Sequence, residues 1–572
     1  MTLRSTARRR AAIATGLSLV VALSGCGFSD DSGGGKPGTV TMEYTNVSSL
    51  DPQRVSWGMW LDASALFEGL VVPNKKGDGV EPGVAQKWEP SADKRTYTFH
   101  LRDSKWSDGK PVTAQDFAWS YQRLLTPSNS QAGTTQGAAS YLPGLGLKGA
   151  TEFLAGTLTD WSQVGVKAKD DRTLVLTLAT PNSDFLLGLT HPSMLPLPKH
   201  LLEAEPQEWQ KAENWVGNGP FTLKSWTVNS SMTLVPNKQY WDKGNVKLSQ
   251  VDLNLTEDPK QAGVHFTSKD ADIVTLPQPD VRRFQQDDTL AKQLVSVPDS
   301  YSNYLAVLHS QNPALEDVRV REALALAMDR EKVVKTCVDC RPSYSLVPEK
   351  SLPGARKAAG LEEDVKRAKQ LLADAGFPGG AGLPQVRILA SQPNAALEAI
   401  VDNWQRNLGI SAAVDVVETG VYVERREQLQ APDYIGFYAG AFAAQPTWRA
   451  WTATQWDPTA MQVFSVSGAD WPGYLAAKGG GTGLAYAKQH ASPEITQFTE
   501  QVTEAGGEPD SAAAEKLFQQ AARTRQDTYL VIPTTYVDQY YVVRSGIGGV
   551  DMRLGYLLPF TFKGVTSELG TN

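Results

Sequence analysis

Cysteine and histidine are scarce: three cysteines (26, 337 and 340) and six histidines (100, 191, 200, 265, 309 and 490) in 572 residues. So few cysteines cannot build a disulfide scaffold, and the scattered histidines offer no i, i+4 pair for a metal. No apolar run reaches the ~18 residues that suggest a spanning helix. Neither sign of charge dominates, with 55 basic against 62 acidic residues and a net charge of −7. Bulk electrostatics therefore do not draw the chain to phosphate, and no nucleic-acid partner is expected. Catalytic signatures are also missing: there is no G-x-S-x-G elbow, no H-E-x-x-H and no P-loop. Gly144 to Gly149 matches G-x-G-x-x-G, but it follows Tyr141-Leu142-Pro143 rather than a clear strand, and no βαβ unit surrounds it. What is present is an ordinary globular composition, 41% hydrophobic and 20% charged, long enough for several domains with large cores. Aromatics are plentiful, with 15 Trp, 18 Tyr and 17 Phe. Those not in the core would suit van der Waals capture of a medium-sized ligand in a cleft.

The first residues read as an address. Arg4, Arg8, Arg9 and Arg10 precede an apolar stretch from Ala11 to Leu23, the pattern of a secretory signal. It ends in Leu23-Ser24-Gly25-Cys26, which resembles a bacterial lipobox, so Cys26 is the expected lipidation site and residues 1–25 the signal peptide. Removal of the four arginines would take the formal charge from −7 to −11. Residues 26–38 form a Gly/Ser-rich tether, and acyl chains on Cys26 would hold the protein on the outer face of the cell membrane.

Beyond the tether, periodicity places elements. Val40, Met42 and Tyr44 alternate with Thr41 and Glu43, a half-buried strand. Tyr97, Phe99 and Leu101 form another, Thr173 to Leu178 a third, and Phe221–Trp226 with Met232–Val235 a hairpin around Asn229. Asp317 is placed to cap a helix whose Val320, Ala323, Leu324, Ala327 and Met328 share a face. A second helix spans Asp364 to Ala375, with Val365, Ala368, Leu371 and Leu372 inward, Gly376 as its cap and Pro378 as its stop. Cys337 and Cys340 lack the further ligands that zinc needs and the fold context of a redox motif. In an oxidising exterior they read as a structural disulfide of modest stabilising effect, because the loop is short.

Several segments carry a resemblance. Phe67-Glu-Gly-Leu-Val71, Glu81-Pro-Gly-Val-Ala-Gln-Lys-Trp88, Tyr97-Thr-Phe-His-Leu-Arg102 and Trp106 to Phe117 are similar to the family 5 extracellular solute-binding proteins of oligopeptide, dipeptide and nickel ABC importers. Tyr121 to Pro127 and Leu147 to Phe153 resemble the oligopeptide branch; Gly217 to Phe221, Pro236 to Trp241 and Val318 to Leu324 continue the match. The resemblance implies an α/β fold, a two-lobed periplasmic-binding-protein-like clamp of type II with a third subdomain. Residues 39–300 with 525–572 would form one lobe and 301–524 the other. The chain would cross near Tyr304–Leu308 and return near Val531–Pro533. It further implies a monomer that needs no cofactor, catalyses nothing, captures oligopeptides by hinge closure and delivers them to a permease and its ATPase.

The implied cleft residues are Tyr438, Gly440, Ala441, Phe442, Ala443, Ala444 and Gln445, with Tyr141 and Tyr536 as cleft aromatics. Trp448 and Trp451 either wall the cleft or belong to the core. One departure stands out. Where the family carries an aspartate for the peptide α-ammonium, Gly440-Ala-Phe-Ala-Ala-Gln-Pro446 puts Ala444. Either Asp433 or Asp457 substitutes, or the solute is a blocked or cyclic peptide, a sugar or a metal chelate. A peptide-sensing surface receptor would use the same fold.

Overall fold

The computed structural model describes residues 37–569 except 55–59, 127–141, 143, 257–258, 309–312, 351, 429–434, 444–446, 455–469, most of 471–488, 509 and 553–559. The expected signal segment, most of the tether and Cys26 lie outside the described residues, as do Tyr141, Ala444, Gln445, Asp433 and Asp457.

Among the described residues eleven strands make the main sheet: β1 (Thr39–Thr45), β2 (Phe221–Thr227), β3 (Ser231–Pro236), β4 (Gln250–Thr256), β5 (Ile273–Leu276), β6 (Leu294–Leu308), β7 (Cys340–Pro342), β8 (Val386–Ala390), β9 (Ala412–Val416), β10 (Ile435–Ala443) and β11 (Val531–Val543). Their order is β9-β8-β10-β6-β11-β5-β1-β4-β3-β2, with β7 paired to β11 off this path. The principal helices are α1 (Ala114–Leu125), α2 (Gln278–Gln286), α3 (Val318–Leu326), α4 (Val365–Asp374), α5 (Ala395–Leu408), α6 (Pro493–Gly507) and α7 (Ser511–Gln526).

At one end of the sheet, Val40, Met42 and Tyr44 of β1 turn inward as their alternation predicts. They join β2, β3 and β4 in a core shared with a four-stranded antiparallel sheet, to which Tyr97, Phe99 and Leu101 contribute. The opposite face of β1 is not open to water. Glu43 is buried because the turn carrying His265 covers it, and the His265 ring lies 2.6 Å from its carboxylate. The β2–β3 hairpin turns at Asn229, which takes φ = 60°, a conformation asparagine tolerates better than most residues.

At the other end, helices cover both faces. Leu305, Val307, Ile388, Phe437 and Ile532 point into one core with α3, α4 and α5. Tyr304, Ala306, Leu308, Leu389, Tyr438 and Val531 point into another with α6 and α7. Strands buried on both faces read as continuous apolar runs, here Tyr304 to Leu308. The Asp317 carboxylate accepts the Arg319 N–H at 2.9 Å, and Asp364 accepts that of Arg367 at 2.9 Å, so both predicted caps form. Val320, Ala323, Leu324, Ala327 and Met328 are all buried. In α4 only Ala368 and Leu372 are; Val365 and Leu371 stay half-buried at the margin. Gly376 takes φ = +95° just past the helix.

β6 and β11, of 15 and 13 residues, run from these two cores to a smaller one formed with Val281 and Phe284 of α2, where Leu294, Tyr540 and Val542 pack. Their antiparallel ladder slips between Val297 and Tyr301 and again between Asn303 and Tyr304, where Pro533 stands opposite Tyr304. Arg330 lies fully buried beneath this point and donates to the Pro533 carbonyl from Nε and Nη2, at 3.2 and 3.0 Å. Cys337 and Cys340 form a disulfide with Cα atoms 5.8 Å apart. Within that loop Asp339 accepts the Gln285 amide of α2 at 2.6 Å, and next to it Arg341 pairs with Asp538 of β11.

Candidate functional site

Gly440 to Ala443 are the last four residues of β10. On one edge they pair in unbroken register with β6: Gly440 with Tyr304, Ala441 with Asn303, Phe442 with Ser302, Ala443 with Tyr301. On the other edge β8 reaches only Ile435 to Tyr438. The next carbonyl, of Ala439, accepts the Tyr422 hydroxyl at 2.5 Å. Among the described residues no strand pairs with that second edge at 440–443. An unpaired edge is a row of backbone donors and acceptors that an added extended chain can satisfy. Glycine at 440 has a steric cause: a Cβ there would stand 2.6 Å from Cζ and from the hydroxyl of Tyr304.

A second segment approaches the end of this strand. The Asn182 amide donates to the Leu145 carbonyl at 2.9 Å, while its own carbonyl accepts the Asp184 N–H at 2.9 Å. Asp184 is thereby fixed, and its carboxylate accepts the hydroxyl of Thr447, just beyond the β10 stretch. The Thr447 oxygen also accepts the Ala450 N–H at 3.0 Å, capping the helical turn that holds Trp448 and Trp451. Asp184 keeps part of its surface in solvent, yet burial dominates its acidity. It is held above the ordinary carboxylate range, against the opposing pull of the Thr447 hydrogen bond and the Arg449 guanidinium. The segment following Tyr141 and the segment following Gln445 thus meet through one carboxylate.

Residues 79–460 match the family described as bacterial extracellular solute-binding proteins, family 5 middle, about two thirds of the chain. The chain belongs to this family. The periplasmic oligopeptide-binding protein of Salmonella typhimurium is 33% identical over 397 residues, 67% of this chain and 71% of that one. The corresponding Escherichia coli protein is 30% identical over 521 residues, 88% of each chain. The fold also matches the solved murein tripeptide-binding protein of Escherichia coli, with a TM-score of 0.70 at 23% identity, over 94% of this chain and 99% of that one. The architecture is thus that of the periplasmic peptide-binding clamps, α/β with one large mixed sheet.

Within this family-5 chain the candidate side chains separate. Tyr438, Trp448 and Trp451 are buried with Phe498 and Phe518 in the core shared with α6 and α7. Tyr536 is buried too; its hydroxyl bonds the Ser345 and Val347 carbonyls, and burial pushes it up to about 12. Gly440 is half-buried and Ala441 exposed. No metal-binding group of three His, Cys, Asp or Glu exists among the described residues. The Ser–His contact of His191 Nδ1 with Ser193 Oγ at 2.7 Å caps a turn; Ser193 is fully buried, and burial drives the His191 ring down to about 3. Asp184 and Thr447 escaped sequence reasoning, since 263 residues separate them and neither sits in a motif. The only local signal is the Asn-Ser-Asp run at 182–184, which has the composition of a turn.

Proposed function

We propose that this protein captures oligopeptides outside the cytoplasm and hands them to the permease of an ABC importer. The observation that carries the reading is the open edge of β10 at Gly440–Ala443, in a chain that aligns with 88% of the length of the Escherichia coli oligopeptide-binding protein. Gly440 and Ala441 offer little side chain to obstruct that edge, so backbone pairing gives affinity with little demand on peptide sequence.

In this reading the chain divides into a lobe of residues 39–300 and 525–572 and a lobe of 301–524, hinged where Tyr304–Leu308 runs beside Val531–Pro533. The solute favours closure only through contacts that it makes in the closed form and not in the open one. Cys26 carries the lipid anchor, and the membrane is met only through it. No catalytic step is invoked.

Thermal unfolding with mixed tri- to hexapeptides, free and N-acetylated, tests the proposal. Peptide at about 100 times its dissociation constant adds roughly 2.7 kcal/mol of stability. Stabilisation by free peptides supports the reading. Loss of it on acetylation places a carboxylate near the α-ammonium despite Ala444. No stabilisation by either set refutes peptide capture and moves the search to non-peptide solutes. Replacement of Cys26 by serine should release the protein from the membrane fraction.

A further inference from the structure

We propose that Asp184 and Thr447 form a latch that holds the two lobes together over the cleft, with or without solute. The inference rests on the lobe division and on the peptide reading above. Phe185, next to Asp184, is packed in the core beneath β1–β4, whereas Trp448, next to Thr447, is packed in the core beneath α6 and α7. Their hydrogen bond therefore joins one packed body to the other, far in sequence and away from the β6–β11 ladder. Both ends are rigid. The Asp184 backbone is fixed by Asn182 and by the Gly188 N–H, which donates to its carbonyl at 2.8 Å. Thr447 is fixed because its oxygen caps the turn at Ala450. The hydroxyl can then do two things at once, accepting from its own turn and donating its proton across the seam. Arg449, two residues on, supplies positive charge that partly offsets the burial of the carboxylate.

A bond from a hydroxyl to a charged group contributes more than a neutral one, and it exists only while the lobes are together. Its loss should therefore accelerate opening and leave association nearly untouched. The pair is a positioning device; neither residue is required to touch the solute.

The test compares Asp184→Ala, Thr447→Val and Thr447→Ser with wild type by small-angle scattering of the ligand-free protein. It also measures the dissociation rate of the tightest-binding peptide from the screen above. Asp184→Ala removes the acceptor and keeps the Thr447 cap intact, so any loss it causes is not a helix-capping defect. Expected are a larger radius of gyration and dissociation about tenfold faster in Asp184→Ala and Thr447→Val, roughly the effect of one charge-assisted bond. Thr447→Ser should restore both. Scattering identical to wild type in both disabling variants overturns the latch, whatever the kinetics. If wild type binds no peptide, the oligopeptide reading fails separately. Scattering then decides the latch alone: expansion reversed by Thr447→Ser supports it, and no expansion overturns it.

Discussion

Replacing Gly440 by alanine tests how tightly the candidate strand is fitted to its neighbour. The new methyl would meet Tyr304 at 2.6 Å from Cζ and 2.8 Å from Cε2, inside any real carbon contact. Tyr304 cannot swing away cheaply. It is only 6% exposed, and its ring meets that of Tyr438 edge to face with centroids 6.0 Å apart. Overpacking of this kind costs about 1–3 kcal/mol, and giving up the aromatic pair adds about 0.5–1.5 kcal/mol. A loss of about 2–4 kcal/mol is expected for Gly440→Ala, read as a fall in the denaturation midpoint at unchanged slope. The clash is specific to the outer ring atoms, so Tyr304→Leu should absorb the methyl. The double variant should then be more stable than the sum of the single losses predicts, with a coupling of about 1–2 kcal/mol. Peptide affinity should fall in Gly440→Ala because the displaced ring shifts the strand whose edge is offered. A single variant as stable as wild type, or strictly additive losses, would refute the steric account.

Other consequences are equally direct. Arg330 has no exposed surface and serves the carbonyls of Pro533, Ala325 and Met328, with Glu363 3.8 Å away. Arg330→Met should therefore cost about 3–5 kcal/mol in denaturant unfolding; a cost under about 1 kcal/mol would mean that water replaces the guanidinium. Asp62 is buried against the Tyr44 hydroxyl at 3.2 Å, and burial raises its carboxyl to about 7. The unfolded carboxyl ionises near 4, so between about pH 4 and 7 only the native state holds this proton, and stability falls as pH rises. Asp62→Asn should flatten that slope, by a total on the order of 4 kcal/mol between the two limits; parallel pH–stability curves for both proteins would contradict the assignment. Opening the Cys337–Cys340 loop with Cys337→Ser and Cys340→Ser should cost about 2 kcal/mol by the chain-entropy estimate for so short a ring. Calorimetry of the double variant, compared with wild type under reductant, checks that value; equal melting of oxidised and reduced wild type would exclude it.

Much of the architecture was legible because it is local. The alternation of Val40, Met42 and Tyr44, the inward face of α3, and the caps at Asp317 and Asp364 follow from residue type and spacing. Cover supplied from far away is not local. Glu43 looks like a solvent-facing position until residue 265 arrives over it. Arg321 and Arg330 look like surface charges until carbonyls from residues 528 and 533 gather around them. The same limit applies to the site. The Gly440–Ala443 stretch was reached through its resemblance to the family's cleft segment, but its open edge depends on where β8 stops. Trp448 and Trp451, left between wall and core by their spacing, lie in the core because α6 and α7 pack over them. The carboxylate opposite Thr447 had only the turn composition of Asn182 to Asp184, which does not point to a partner 263 residues away.

The two slips in the β6–β11 ladder have a mechanical meaning. A sheet with every rung in place is stiff across its strands. Here the two longest strands fall out of register on either side of Ser302, and Pro533 contributes no N–H at the centre. Bending strain put into the ends of the molecule will concentrate in this span of a few residues instead of spreading along the strands. In the proposed two-lobe reading the flexure is cut into the sheet itself, with Arg330 as an abutment beneath it. Substitutions here would change how far the protein bends, and those from Tyr301 to Tyr304 would also act on the strand that backs the open edge.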